Sequence, residues 1–115
     1  MTGNEIFNRV CFLLGYYDFL KETDSMKRLA FCQIINQIAE ELHLGKIDSL
    51  NDSLELNDKF SDALIYGTAM LFALSLKDGN TAKVYSALYS VKRSTALNTP
   101  EKREDALPFP IDGGA

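Results

Sequence analysis

The amino-acid sequence predicts an all-α fold, a compact bundle of about four helices with a C-terminal αα-hairpin and an extended C-terminal tail. Apolar residues recur at three- and four-residue spacing in four separate runs. Residues that cap helices stand before these runs, and glycines follow several of them. After Asn98 the helical period is lost and proline enters. The sequence therefore divides into a helical domain, residues 1–98, and a tail, residues 99–115.

The first two helices carry clear start signals. Thr2 and Glu5 have the spacing of a capping box, and Gly15 has the position of a left-handed helix end. A second helix is predicted to begin at Asp24 or Ser25 and to end at Gly45. It is the longer of the two, and its broad apolar stripe gives it a central role in packing. Residues 47–56 break the helical rhythm, and we interpret them as a loop rather than a short strand.

The third helix contains the most apolar stretch of the chain, residues 64–76, with Asn57 or Asp58 as its cap. Ten of these thirteen residues are apolar, and they cover every side of the helix. Such a helix must be buried all round, by its own domain or by partner chains. Neighbouring copies are the first interpretation in a chain this short, and a central position in a four-helix core is the other. The run is too short to span a membrane, which takes about 20 apolar residues.

A turn at residues 78–80 is predicted to join this helix to a fourth one in an antiparallel hairpin. Glycine and asparagine there suit positive φ angles. Gly67 lies within the third helix, where glycine costs about 1 kcal/mol of helix propensity. It therefore indicates a close approach by another helix, from the same chain or from a second one.

The tail has an anchoring pattern. Pro108 and Pro110 favour an extended backbone, and three apolar side chains, Leu107, Phe109 and Ile111, alternate with them. We predict that this tail docks on a neighbour.

Residue types that carry chemistry are sparse. The single histidine, His43, is placed to complement a helix dipole rather than to act as a base. Cys11 and Cys32 are interpreted as buried reduced thiols, with a disulfide left open. We expect no metal, no cofactor and no enzymatic activity. A net charge of −4 argues against electrostatic binding to the phosphates of DNA or RNA. The residues after Met1 lack the basic start of a signal peptide, which predicts a cytosolic chain.

The hairpin and the tail supply the candidate protein interface. Tyrosine is enriched at interfaces, although each tyrosine of the hairpin has packing across the hairpin as its alternative. The predicted interface residues are Tyr66, Gly67, Met70, Tyr85, Tyr89, Lys92, Arg93, Leu107, Phe109 and Ile111.

The order of these elements resembles that of a known family. The resemblance covers roughly residues 3–95 and follows four segments, residues 4–16, 34–38, 49–52 and 66–93. These segments are similar to the small head–tail connector (adaptor, or head-completion) proteins of tailed bacteriophages and prophages.

The resemblance implies a helical, non-enzymatic virion protein at the head–tail interface, which is in the host cytoplasm during assembly. It implies a ring, usually of twelve copies, beneath the portal protein. The ring extends the DNA channel without binding DNA specifically, and it docks the next tail or stopper protein. The alternative from another class is a small cytosolic helical module that binds a partner protein or peptide.

Overall fold

Four helices and one 3₁₀ turn make up the part of the chain that the structure, a computed structural model, describes, residues 1–98. The predicted tail, with Leu107, Phe109 and Ile111, lies outside the described residues. The four helices are α1 (Gly3–Leu14), α2 (Ser25–Glu41), α3 (Asp58–Ser75) and α4 (Gly79–Leu97), and the 3₁₀ turn is Tyr17–Lys21. The all-α prediction is confirmed.

Helix α1 begins with the capping box that the sequence predicts. The Glu5 amide donates to Thr2 Oγ1 at 3.1 Å, and the Thr2 amide donates to Glu5 Oε1 at 2.8 Å. The next two free amides, of Gly3 and Asn4, donate to the carbonyls of Asp52 and Leu50 at 3.0 and 2.8 Å. The loop between α2 and α3 thus completes the start of α1, which satisfies amides that a helix cannot pair by itself.

Residues 42–57 form a loop that includes the predicted one, residues 47–56, and only an isolated bridge pairs Thr2 with Ser53 within the described chain. The side chain of Asn36 on α2 holds the loop, since its amide donates to the Ile47 carbonyl at 2.7 Å and its carbonyl accepts from the Ile47 amide at 2.8 Å. Ile47, Leu50 and Leu54 are buried in the core. The loop is therefore part of the packed domain.

The apolar helix α3 lies at the centre of the fold, where it contacts α1, α2 and α4. Its buried side chains cover most of its circumference; among the largest are Leu64, Ile65 and Phe72. Large apolar side chains are exposed only at its C-terminal end, where Leu74 is 53% exposed and Leu76, just after the helix, is 40% exposed. Burial by the chain's own helices is therefore the correct interpretation of most of this helix, and its apolarity does not require neighbouring copies.

Two helices end earlier than the sequence predicts. Helix α2 ends at Glu41 rather than at Gly45, and the left-handed position is taken by His43, with φ 60°. Helix α3 ends in the same way with Lys77, φ 61°, whereas Gly79 already belongs to α4 and its φ is not positive. At both ends a following amide donates back to a carbonyl in the last turns of the helix, from Leu44 to Ala39 and from Asp78 to Ala73, at 2.9 Å.

Replacing Lys77 with glycine should raise the free energy of unfolding by about 0.5–1 kcal/mol. A non-glycine residue in the left-handed region costs roughly 1–2 kcal/mol. The greater freedom of glycine in the unfolded chain offsets about 0.5–1 kcal/mol of that gain. Urea unfolding of both proteins checks the result. Lys83→Gly, at an exposed position within α4, is the control and should destabilise by about 1 kcal/mol. Equal losses in both variants would contradict the prediction.

Candidate protein interface

Gly67 and Tyr89 lie inside the chain's own core. A Cβ atom on Gly67 would stand 2.7 Å from Ile38 Cγ2 on α2 and 2.8 Å from Tyr89 Cε1 on α4. The close approach that the sequence indicates is therefore made by two helices of the same chain. Tyr89 is 6% exposed, and its hydroxyl donates to Glu41 Oε1 at 2.5 Å. Burial, together with this carboxylate, raises the pKa of Tyr89.

Tyr66 and Tyr85 lie nearer the surface, where they join three helices. Their ring centroids are 5.9 Å apart, and the Tyr85 hydroxyl donates to the Leu13 carbonyl on α1 at 3.4 Å. Next to them is a shallow groove of about 390 Å³ between α1 and α3, which we name the α1–α3 groove. Its lining residues are Arg9, Phe12, Leu13, Asp62, Ile65 and Tyr66. On the α4 side, Lys92 Nζ stands 3.9 Å from Asp62 Oδ2.

Large apolar side chains are exposed on α1, on the 3₁₀ turn that follows it and on α4. On the α1 side, Phe12 is 60% and Tyr17 is 59% exposed, with ring centroids 5.8 Å apart. On α4, Val84, Leu88 and Val91 are exposed and follow three- and four-residue spacing, so they form one stripe. Leu88 stands one turn from Tyr85. Exposed apolar patches of this kind mark interaction sites on soluble proteins.

The structure thus divides the predicted interface residues. Tyr66 lines the α1–α3 groove, and Tyr85 and Lys92 lie beside it through their contacts with Tyr66 and Asp62. Met70 is half-buried against the core, and Arg93 is exposed on α4. The sequence prediction missed the exposed residues Phe12, Leu13, Tyr17, Val84, Leu88 and Val91. The sequence of α4 could have indicated this exposure, because its apolar side chains cover a wider face of the helix than one neighbouring helix can bury.

A second opening, of about 320 Å³, lies beside a cluster of phenylalanines, and we name it the aromatic cleft. Phe31 stands at the centre of this cluster, 4.6 Å from Phe7 and 5.0 Å from Phe72 between ring centroids, while Phe19 is 5.4 Å from Phe72. The full lining is Phe7, Phe19, Glu22, Lys27, Arg28, Ala30, Phe31, Ile34, Phe72, Ser75 and Leu76. The sequence did not indicate this cleft, because its residues come from four separate elements.

Both cysteines are free and buried, which confirms their interpretation as reduced thiols. Cys32 Sγ donates to the Ile47 carbonyl at 3.5 Å. Across residues 1–98, no cluster of three or more His, Cys, Asp or Glu residues is arranged to hold a metal ion. In the same part of the chain, none of the helices has the length and apolarity needed to cross a membrane.

We expect the protein to lose stability as the pH rises above about 9. Burial raises the pKa of Cys11 from 9.0 to about 11, and it also raises the pKa of Cys32. Between pH 9 and pH 11 the unfolded chain releases the Cys11 proton while the folded chain retains it. The unfolded state then binds fewer protons, so the free energy of unfolding falls by up to about 1.4 kcal/mol per pH unit for this one group.

Urea unfolding at pH 8, 9 and 10 measures this slope. The matched variant Cys11→Ala lowers stability at every pH, because it leaves a small cavity. Its stability should nevertheless fall less steeply with pH than that of the parent protein. Equal slopes for the two proteins would show that Cys11 is not the titrating group.

No family model matches the sequence, and no curated protein or solved structure is significantly similar to it.

Proposed function

We propose that this protein is a head–tail connector of a tailed bacteriophage. It would form a ring of twelve copies beneath the portal protein, extend the DNA channel and dock the next tail component. The observation that carries the proposal is the α1–α3 groove together with the exposed apolar side chains of α1 and α4, which we call the apolar rim, on a domain with one continuous buried core. The resemblance of residues 3–95 to connector proteins supplies the class.

The apolar rim supports assembly on energetic grounds. Fully burying a large aliphatic or aromatic side chain is worth about 1.5–3 kcal/mol. Phe12, Tyr17 and Val91 are each more than half exposed, so a partner that covers them gains much of that energy. A ring needs a contact between two different faces of neighbouring copies, and a groove that receives another surface meets that need. The acidic charge balance suits a channel through which DNA slides.

The test mixes the protein with the portal protein encoded in the same genome and measures the mass of the complex by native mass spectrometry. We expect a portal-bound ring of twelve copies. Val91→Glu and Phe12→Glu should weaken portal-bound assembly, because each places a charge on the apolar rim. Ser90→Glu, at an exposed position elsewhere on α4, is the matched control and should assemble normally. A chain that does not bind the portal would overturn the proposal.

The flanking genes give an independent check, since a portal or capsid gene beside this one supports the connector. The alternative function, a small helical module that binds a partner peptide, uses the same groove. It would be favoured by a chain that ignores the portal and binds an amphipathic helical peptide as a monomer. In that case Val91→Glu would weaken the peptide complex instead.

A further inference from the structure

We propose that the aromatic cleft binds residues 107–111 of a second copy of this chain. The inference rests on the proposed function in one respect, because a ring supplies the neighbouring copy. The contact would join adjacent copies through the tail of one and the α2 side of the next.

The cleft is built to receive apolar groups. Its floor is the buried cluster of Phe7, Phe31 and Phe72, and its edge is formed by partly or largely exposed residues, among them Phe19 and Leu76. Its volume of about 320 Å³ is at the lower end of the range of small-molecule sites, which is enough for one or two large side chains. Covering it removes apolar surface from water.

The tail segment has the matching chemistry. Pro108 and Pro110 favour a polyproline backbone, which loses little entropy on binding and is recognised by aromatic-lined grooves elsewhere in biology. Leu107, Phe109 and Ile111 supply apolar side chains at alternate positions. The backbone conformation that the prolines favour and the apolar side chains of the segment both suit binding to an aromatic cleft.

The charges at the rim are complementary to the two charges nearest the segment, which follow Lys102 and Arg103 in the chain. The rim carries two cations, Lys27 and Arg28, and one anion, Glu22, which stands 3.4 Å from Lys27. Glu104 and Asp105 come just before the apolar part of the tail. An acidic pair that enters across a rim with net positive charge is attracted to it and held in register.

The position of the cleft favours a tail from another copy. The cleft adjoins the end of α3, at Phe72 and Ser75, whereas the described chain leaves the bundle at Asn98, at the far end of the antiparallel α4. Helix α4 has 19 residues and is about 28 Å long. The nine residues that lead from Asn98 to Leu107 span at most about 30 Å when fully extended. A chain's own tail would have no length left to pass around the bundle.

A charge exchange in the full chain tests the proposal by sedimentation velocity over a range of concentrations. Lys27→Glu and Asp105→Lys should each weaken self-association by about fivefold. The double variant should recover much of the lost affinity. Phe109→Ser should weaken self-association by at least about tenfold. Lys46→Glu, at another exposed lysine away from the cleft, is the matched control for the charge change and should have no such effect. The Lys27 side chain is 64% exposed, so its replacement leaves the core intact.

Mixing two defective variants separates a second copy from the chain's own tail. Phe109→Ser retains an intact cleft, and Lys27→Glu retains an intact apolar tail, so an equal mixture should associate more strongly than Phe109→Ser alone. Self-association that is absent, or that the charge exchange does not restore, overturns the inference. Portal binding without tail-dependent self-association leaves the connector proposal standing and refutes this inference. Tail-dependent self-association without portal binding supports this inference and refutes the connector proposal.

Discussion

The free energy of unfolding of the Gly67→Ala variant should be about 2 kcal/mol lower than that of the parent protein. The added methyl group would stand 2.7 Å from Ile38 Cγ2 and within 3 Å of two ring atoms of Tyr89. Neither neighbour can move cheaply, because Ile38 is 1% exposed and its Cγ2 is attached directly to Cβ, while the Tyr89 ring is rigid. Overpacking of this kind costs up to about 3 kcal/mol. The better helix propensity of alanine stabilises the folded state by only about 1 kcal/mol, so the steric cost is larger.

Gly79→Ala is the matched control. Gly79 is the first residue of α4, its φ is not positive, and a Cβ atom added there would meet no neighbouring atom within 4 Å. This variant should be more stable than the parent by about 0.5–1 kcal/mol, because alanine loses less backbone freedom on folding. Urea unfolding measures both variants. A Gly67→Ala protein as stable as Gly79→Ala would show that α2, α3 and α4 pack less closely than the structure has them.

The starts of the helices could be predicted from the sequence because they depend on local hydrogen bonds. Thr2, Asp24 and Asn57 are the N-caps in the structure, and each accepts from an amide two or three residues further along its own helix. Nothing distant is needed for such a bond to form. The number, order and approximate extent of the helices follow from these caps and from the apolar spacing.

The ends of α2 and α3 could not be predicted in the same way, because tertiary contacts decide them. Leu42, just after α2, is 1% exposed, and the chain turns there so that this side chain can enter the core. After α3, Asp78 must cap the next helix, and its carboxylate also accepts from the Tyr16 hydroxyl at 2.9 Å. These requirements place His43 and Lys77 in the left-handed region although glycines stand two residues away.

The candidate interface was only partly predictable, because residue type does not show which side of a helix is covered. Tyr85 and Tyr89 are one turn apart on α4, yet one joins the surface at α1 and the other lies in the core. The stripe of Val84, Leu88 and Val91 has the same composition as a core face. Its exposure follows from where α3 crosses α4, which is a property of the whole bundle. The aromatic cleft depends on tertiary packing in the same way.

Replacing Thr68 with valine should raise the free energy of unfolding by about 1–2 kcal/mol. Thr68 is 0% exposed, in the middle of α3, and its Oγ1 atom has no hydrogen-bond partner within the described chain. A buried hydroxyl without a partner costs about 1–3 kcal/mol. Valine has the same shape and nearly the same helix propensity, so the substitution removes the hydroxyl and keeps the packing. Thermal and urea unfolding of both proteins measure the gain.

Thr68→Ser is the reciprocal control, since it keeps the hydroxyl and removes the methyl group. It should destabilise the protein, because the lost methyl group leaves a small cavity in a core that is packed as tightly as an organic crystal. The pair of variants therefore separates the contribution of packing from that of polarity at one position. If valine proves less stable than threonine, the hydroxyl has a partner in solution, such as the carbonyl one turn earlier in α3. In that case the hydroxyl would be hydrogen-bonded within its own helix and would not carry the desolvation cost of an unpaired buried group.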